Sequence, residues 1–244
     1  MKPAMDKLVA GGVAVLIAGL LVLAAFGLDR PVRAASALVS VPAPAGTADL
    51  RQPGVAQARV VFAGGCFWGV QGVFQHVKGV ESAVSGYIGG SAADADYARV
   101  GTGRTGHAEA VQVTYDPAQV GYAQLMQVFF SVVHDPTQLD RQGPDRGSQY
   151  RSAVYADDAA QRAATLAYID QLRRSGVFAA PVVTRVDGGK RFYPAEGYHQ
   201  NYLALHPGAP YIRINDLPKV EALKRQYPAL YRDKPRLVAT LSVR

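Results

Sequence analysis

Cys66 is the strongest candidate for chemistry in this chain, and it is the only cysteine of the 244 residues. A β-branched and aromatic run over 59–63 precedes it, two glycines follow that run, and apolar residues recur at helical spacing over 67–77. The pattern predicts a strand, a Gly-Gly turn and a helix, with Cys66 at the junction. Free backbone N–H groups and the positive end of a helix dipole favour a thiolate, so we expect a reactive nucleophile. The alternative is a buried structural cysteine, the commoner state of a lone cysteine.

Glu109 is a second candidate, and it is one of only four glutamates. Strand-like alternation places it on the same side as Val111, Val113 and Tyr115, which form an apolar face. A carboxyl buried on such a face keeps its proton near neutral pH, as a general acid must. The alternative is that Glu109 lies at the exposed start of the strand.

The five histidines do not predict a metal site. His107 and Glu109 are spaced as in the His-x-Glu of zinc deaminases, but that signature also needs paired cysteines. The other four are not clustered in the sequence: His76, His134, His199 and His206. We therefore expect no metal ion in the site.

The elements that must position these residues follow the order strand–helix–strand–strand–helix–strand, with one further helix and strand. After the Cys66 helix, the patterns predict strands over 80–88, 109–115, 152–155 and 182–186, and helices over 122–133, 157–176 and 217–227. This order is typical of split βαβ proteins. It predicts an α+β fold, a ferredoxin-like two-layer α/β sandwich with a mixed or antiparallel sheet.

The N-terminal part of the chain predicts export. Residues 8–28 (Leu8 to Leu28) carry no charge, which matches the ~20 apolar residues needed to cross a bilayer. Because Lys2 and Lys7 precede this run, we expect a transmembrane signal anchor over 1–28, with the catalytic domain on the periplasmic or extracytoplasmic side. The alternative is a signal cleaved near Ala37, which would release the domain into the periplasm.

The rest of the chain divides by composition and charge. Residues 29–58, rich in Pro and Ala, predict a flexible linker, residues 59–215 a catalytic domain and residues 216–244 a C-terminal tail. The net charge of +7 is spread out, with no run of five like charges and no nucleic-acid module, so we expect no nucleic-acid binding. We expect a monomer.

Several motifs carry a family resemblance. Gly65-Cys66-Phe67-Trp68-Gly69 resembles the active-site motif of the A-type peptide methionine sulfoxide reductases. Further blocks similar to those of the family follow in family order: residues 86–90, 96–100, 105–110, 134–137, 141–151 and 195–202. The resemblance covers about residues 60–202.

The resemblance implies a two-layer fold and thiol-dependent reduction of methionine S-sulfoxide to methionine, protein-bound or free, which repairs oxidised proteins. It implies that Cys66 is the nucleophile and becomes a sulfenic acid, and that Glu109 is the acid. The remaining family positions are two tyrosines that hold the sulfoxide oxygen, an active-site aspartate and two aromatic residues that bind the substrate methyl group: Tyr97, Tyr150, Asp145, Phe67 and Trp68.

The chain departs from many relatives because nothing after Cys66 is a cysteine that could resolve the sulfenic acid as a disulfide. We therefore expect no bound cofactor and an external thiol as reductant. The candidates are a thioredoxin-like protein, a glutaredoxin with glutathione, or a small thiol.

Two other functions remain as alternatives at this point. One is a cysteine hydrolase or acyl-transferase that uses Cys66 with His107 or His199 as base. The other is a membrane-tethered binding module with a Phe67–Trp68 pocket and no turnover. Consumption of a thiol equivalent distinguishes a reductase from the hydrolase, and burst release of one methionine per Cys66 distinguishes it from the binding module.

Overall fold

The structure is a computed structural model that describes residues 39–46, 50 and 55–239. Its strands are β1 Ala58–Gly64, β2 Val80–Ile88, β3 Ala108–Tyr115, β4 Arg141–Gln142, β5 Asp145–Arg146, β6 Ser152–Ala156, β7 Arg185–Gly188 and β8 Phe192–Pro194. Its helices are α1 Phe67–Gln75, α2 Tyr97–Val100, α3 Tyr122–Val128, α4 Ala159–Ser175, α5 Tyr202–Leu205 and α6 Leu217–Gln226. Two π-helical segments, Phe129–Val133 and Ile212–Asp216, continue α3 and lead into α6.

Six strands form one sheet in the order β7-β6-β1-β3-β2-β8. All neighbours are antiparallel except β6 and β7, which are parallel. Strand β3 lies between β1 and β2, and its register pairs Glu109 with Tyr87 and Val111 with Phe62. A residue on β3 is therefore shielded by strands on both sides.

The larger apolar core lies between one face of this sheet and helices α1, α3, α4 and α6. Phe62 of β1 stacks on Phe74 of α1 at 4.9 Å between ring centroids and on Phe129 at 4.7 Å. The opposite face carries a smaller cluster of mostly short side chains: Val61, Ala63, Ile88, Ala108, Ala110, Ala153 and Tyr155. Burial of these apolar surfaces is the main force that holds α1 against the sheet.

The architecture is a mixed α/β half-barrel, so the predicted ferredoxin-like two-layer sandwich is wrong. The sequence pattern missed β8 and placed β7 three residues too early, since strands of three and four residues are too short to show alternation. These strands widen the sheet at both edges. The segments 134–151 and 195–239 then pack around it largely as turns and short helices.

Among the described residues, no helix is both long and apolar enough to span a bilayer. The apolar run 8–28, predicted to be a signal anchor, lies outside the described residues. Within the predicted linker, residues 39–46 contact the domain: Val41 is buried, and the Tyr168 hydroxyl donates to the carbonyl of Pro42 at 2.7 Å.

The C-terminal end of α1 is closed by a distant segment of the chain. The last carbonyl groups of a helix have no partner within it. Here the carbonyl of Gln75 accepts the N–H of Arg236 at 2.9 Å, and that of His76 accepts the N–H of Arg232 at 2.8 Å. The N–H of Lys78 in turn donates to the carbonyl of Leu230 at 2.7 Å. We call residues 230–236 the C-terminal clasp.

Candidate active site

Cys66 occupies the position between β1 and α1, as the strand–glycine–helix pattern predicted. Gly65 has a φ of +93°, and a Cβ on it would lie 2.6 Å from the side chain of Gln142. A glycine is therefore required both by the backbone conformation and by the approach of the 134–151 segment. The turn places Cys66 at the N-cap of α1, next to the first backbone N–H groups, which have no partner within the helix.

The pKa of the Cys66 thiol is raised well above its ordinary value, which in the free enzyme favours the protonated thiol over the expected thiolate. Burial of the sulfur is the largest cause, and the charges of Glu109 and Asp216 add to it. A hydrogen bond from the backbone N–H of Trp68 and the charge of Lys219 oppose the rise. The sequence pattern identified the helix N-terminus, but the cost of desolvation outweighs it.

Glu109 lies on β3 and is only 2% exposed, which confirms its predicted burial. Its Oε2 accepts the backbone N–H of Phe67 at 3.0 Å. Burial raises the pKa of this carboxyl to about 8, although the Phe67 hydrogen bond opposes the rise. Glu109 therefore keeps its proton near neutral pH, and its carboxyl is held by the backbone of the residue that follows Cys66.

Tyr97 and Tyr150 face the same site from two different segments. Tyr97 begins α2, and Tyr150 ends the short 3-10 helix Ser148–Tyr150. Burial raises the pKa of both phenols, and the charges of Glu109, Cys66 and Asp145 each raise both further. Within the described part of the chain neither hydroxyl makes a hydrogen bond, so both can donate to an oxygen of a bound molecule.

Asp145 lies on the β4–β5 hairpin and is held by a residue that the sequence analysis did not identify. The hydroxyl of Tyr211 donates to its Oδ2. Burial raises the pKa of Asp145, while the Tyr211 hydrogen bond and the charge of Lys219 oppose the rise. The hairpin is thereby joined to the segment that leads into α6.

An aromatic wall lies beside Cys66. Phe67 is buried, and Trp68 is half-buried and stacks on Tyr202 at 3.8 Å between ring centroids. Trp68 Nε1 donates to His199 Nδ1 at 3.2 Å, and the His199 ring lies 4.4 Å from the ring of Tyr97. The structure thus brings together all seven predicted site residues.

Several residues of the C-terminal third lie at the site and were missed as functional positions: Glu196, Tyr202, Tyr211, Asp216 and Lys219. His199 was considered only as the base of the alternative hydrolase. Glu196 accepts the backbone N–H of Tyr97 at 2.9 Å and the hydroxyl of Tyr87 at 2.8 Å, which fixes the start of α2. The resemblance marked residues 195–202 without giving them a role. The i,i+3 pair of Asp216 and Lys219 at a helix start was a signal that could have been used.

The described residues contain no group of three or more His, Cys, Asp or Glu that could hold a metal ion. Both ring nitrogens of His107 have backbone partners, the N–H of Gly90 at 3.2 Å and the carbonyl of Ser91 at 2.8 Å. His199 Nδ1 is occupied by Trp68. The described contacts therefore give no support to a Cys–His hydrolase.

A buried thiol, a neutral carboxylic acid and two phenol donors beside an aromatic wall suit the transfer of an oxygen atom to sulfur. The fold and the site together define a cysteine-dependent oxidoreductase.

Comparison with known proteins agrees with this class of enzyme. The sequence profile of the family described as Peptide methionine sulfoxide reductase matches residues 58–230. Peptide methionine sulfoxide reductase MsrA 2 of Mesorhizobium japonicum is 61% identical over 182 residues, 75% of this chain and 93% of that protein. The protein of the same name from Synechocystis is 50% identical over 169 residues, 69% of this chain and 79% of its own length. The chain belongs to the peptide methionine sulfoxide reductase family.

The solved structures give the same result. Methionine sulfoxide reductase A of Corynebacterium diphtheriae aligns with a TM-score of 0.56 and 31% identity, covering 71% of this chain and 87% of that one. Reduced Mxr1 from Saccharomyces cerevisiae aligns with a TM-score of 0.57 and 30% identity, covering 65% and 91%. The activity is that of a peptide-methionine (S)-S-oxide reductase, a thiol-dependent repair enzyme without a bound cofactor.

Proposed function

We propose that Cys66 is the nucleophile of this reductase and Glu109 its general acid. The observation that carries the proposal is the shared helix start: the Phe67 N–H binds the Glu109 carboxyl at 3.0 Å, while the Trp68 N–H is directed to the Cys66 sulfur. One turn of α1 therefore fixes the acid and the thiol relative to each other.

In the proposed reaction the Cys66 sulfur attacks the sulfoxide sulfur, and Glu109 gives a proton to the sulfoxide oxygen. Tyr97 and Tyr150 hold that oxygen by neutral hydrogen bonds. The substrate S–O bond and the new S–S bond then break as the oxygen is transferred to Cys66, which becomes S–OH, so the substrate sulfur gains the two electrons that Cys66 loses. The net step consumes no proton, because the proton lost by Cys66 replaces the one that Glu109 gave.

The substrate methyl group is proposed to bind against Phe67 and Trp68, because S-methyl groups pack well on aromatic rings. The surrounding rim of aromatic residues is accessible: Tyr97 is 37% exposed and Tyr198 is 63% exposed, with its ring 4.2 Å from that of His199. An open rim supports a substrate range that includes oxidised proteins and peptides as well as free methionine sulfoxide. Asp145 is proposed to hold the Tyr211 side chain in place at the site by accepting its hydroxyl hydrogen bond.

The reductant is proposed to be an external thiol. Cys66 is the only cysteine of the sequence, so its sulfenic acid has no second thiol within these residues. A first external thiol forms a mixed disulfide with Cys66 and releases water, and a second releases the Cys66 thiol and a disulfide. A thioredoxin-like protein, a glutaredoxin with glutathione and a small thiol all satisfy this balance.

A single-turnover experiment tests the proposal. Reduced enzyme is mixed with excess methionine S-sulfoxide in the absence of any thiol, and methionine is counted. We expect about one methionine per chain and a Cys66 that reacts with dimedone, a reagent for sulfenic acids. The Cys66→Ser variant is the control and should release none. Two methionines per chain would show that a further group supplies electrons, and would contradict the proposal.

We also propose that the domain acts outside the cytoplasm. The support is the uncharged run 8–28 with Lys2 and Lys7 before it. Protease added to spheroplasts should digest the catalytic domain while a cytoplasmic marker protein stays intact. Protection of the domain equal to that of the marker would contradict the proposal.

A further inference from the structure

A buried ion pair lies against the first turn of α1 and has no part in the reaction as derived so far. Lys219 Nζ donates to Asp216 Oδ1 at 3.0 Å; the side chain of Asp216 is fully buried and that of Lys219 is 13% exposed. A Cβ on Gly69 would lie 2.1 Å from Asp216 Oδ1 and 2.8 Å from Lys219 Nζ. The pair therefore fills the space beside the third residue of the helix whose N-cap is Cys66.

This pair is costly for the fold. Two charges lose their hydration on burial, and apolar residues of similar size often stabilise a core as well or better. The second carboxylate oxygen, Asp216 Oδ2, is buried and has no hydrogen-bond partner among the described residues. Packing alone therefore does not account for an ion pair at this place.

The pair is close enough to the nucleophile to act on its charge. Asp216 disfavours ionisation of the Cys66 sulfur and Lys219 favours it. Glu109 on β3 also disfavours ionisation, but it is neutral near pH 7. Asp216 lies beside the positive end of α1 and competes there with the developing thiolate.

We propose that Lys219 is a positioning residue of the reaction: its ammonium group stabilises the Cys66 thiolate as it forms, and Asp216 holds that ammonium group beside the first turn of α1. The other ionisable groups around the site are neutral phenols, from Tyr97, Tyr150 and Tyr211, the Asp145 carboxyl, and the imidazole of His199, whose pKa is lowered by burial. Lys219 supplies the positive charge that these groups lack.

The test separates the two charges. Because loss of Lys219 alone would leave an unpaired buried carboxylate that could take up a proton, Lys219 is removed in a background where Asp216 is already neutral. The full chain is prepared as wild type, Asp216→Asn and Asp216→Asn/Lys219→Met. The rate of iodoacetamide alkylation is measured against pH, and it reports Cys66 alone because no other cysteine is present.

We expect Asp216→Asn to move the alkylation profile to lower pH. Adding Lys219→Met to that variant should move the profile back to higher pH and slow alkylation at pH 7.5 by roughly threefold or more. The first-turnover rate of methionine release should follow the alkylation rate, so it should be lower in the double variant than in Asp216→Asn. Lys224→Met is the matched control, since Lys224 is on the same helix and pairs with exposed Asp233 at 3.5 Å; it should leave the profile unchanged.

Coincident profiles for Asp216→Asn and the double variant, with cooperative melting retained, would overturn the proposal. If Asp216→Asn does not melt cooperatively, Asp216→Ser provides the neutral background for the same comparison. A shift of equal size in Lys224→Met would show a general charge effect and would also overturn it. None of these outcomes bears on the role of Cys66, which the single-turnover count tests separately.

Discussion

Replacing Glu109 with Gln keeps the size and hydrogen-bonding capacity of the side chain but removes the proton that it can transfer. The rise in the pKa of Glu109 from its ordinary 4.5 to about 8 corresponds to about 5 kcal/mol against the charged form. At pH 7 about ten enzyme molecules hold the acid protonated for each one that does not. A general acid contributes about 10²–10⁴-fold, so we expect Glu109→Gln to lower the first-turnover rate within that range.

The pH dependence of the reaction rate is a sharper test of Glu109 as the acid. The reaction needs Cys66 ionised and Glu109 protonated, and the pKa of Cys66 lies above that of Glu109. The wild-type rate should therefore rise tenfold per pH unit up to about pH 8 and then level off. Above that pH the gain in the thiolate fraction of Cys66 is offset by an equal loss in the protonated fraction of Glu109. In Glu109→Gln the rise should continue past pH 8 without a break.

The assay is methionine release from the S epimer with dithiothreitol, between pH 6 and 10, with Cys66 alkylation followed in parallel. Near pH 7 alkylation should be almost unchanged in Glu109→Gln, because wild-type Glu109 is neutral there. A break at pH 8 that persists in the variant would refute the assignment of Glu109 as the acid. So would a normal rate at pH 7.

Three further outcomes are expected. Cys66→Ser should abolish turnover and leave the melting temperature within a few degrees of wild type, since a hydroxyl is a far poorer nucleophile at neutral pH; retained activity would contradict the mechanism. Tyr150→Phe removes one oxygen donor and should lower kcat by about 10²-fold with a smaller change in KM, whereas an effect on KM alone would assign Tyr150 to binding. Gly65→Ala should destabilise the fold by about 1–3 kcal/mol in urea unfolding, because φ is +93° and the new Cβ would meet Gln142 at 2.6 Å; a neutral change would show that the turn can relax.

Local patterns predicted the parts of the molecule that depend on neighbouring residues. The β1–α1 junction, strand β3 with buried Glu109, and helix α4 with Asp158 and Gly176 at its two ends all follow from alternation, helical spacing and capping residues. These features need no knowledge of distant contacts.

The features that were missed depend on long-range packing. The half-barrel rests on two short edge strands, and the protonated state of Cys66 rests on burial by several segments. Tyr211 reaches Asp145 across 66 positions of sequence, and no periodic pattern marks such a contact. Residue patterns alone indicated Cys66 and Glu109, whereas the other five predicted site positions came from the family resemblance.

The C-terminal clasp also has a consequence for the order in which the molecule is completed. During synthesis the helix that carries Cys66 leaves the ribosome long before residues 230–236 do, so its last carbonyl groups stay open to water until the clasp arrives. Contacts between such distant positions form late, because closing a long loop costs entropy before the contact is gained. The nascent enzyme therefore carries its one cysteine on an unfinished helix, and a segment made about 160 residues later secures that helix.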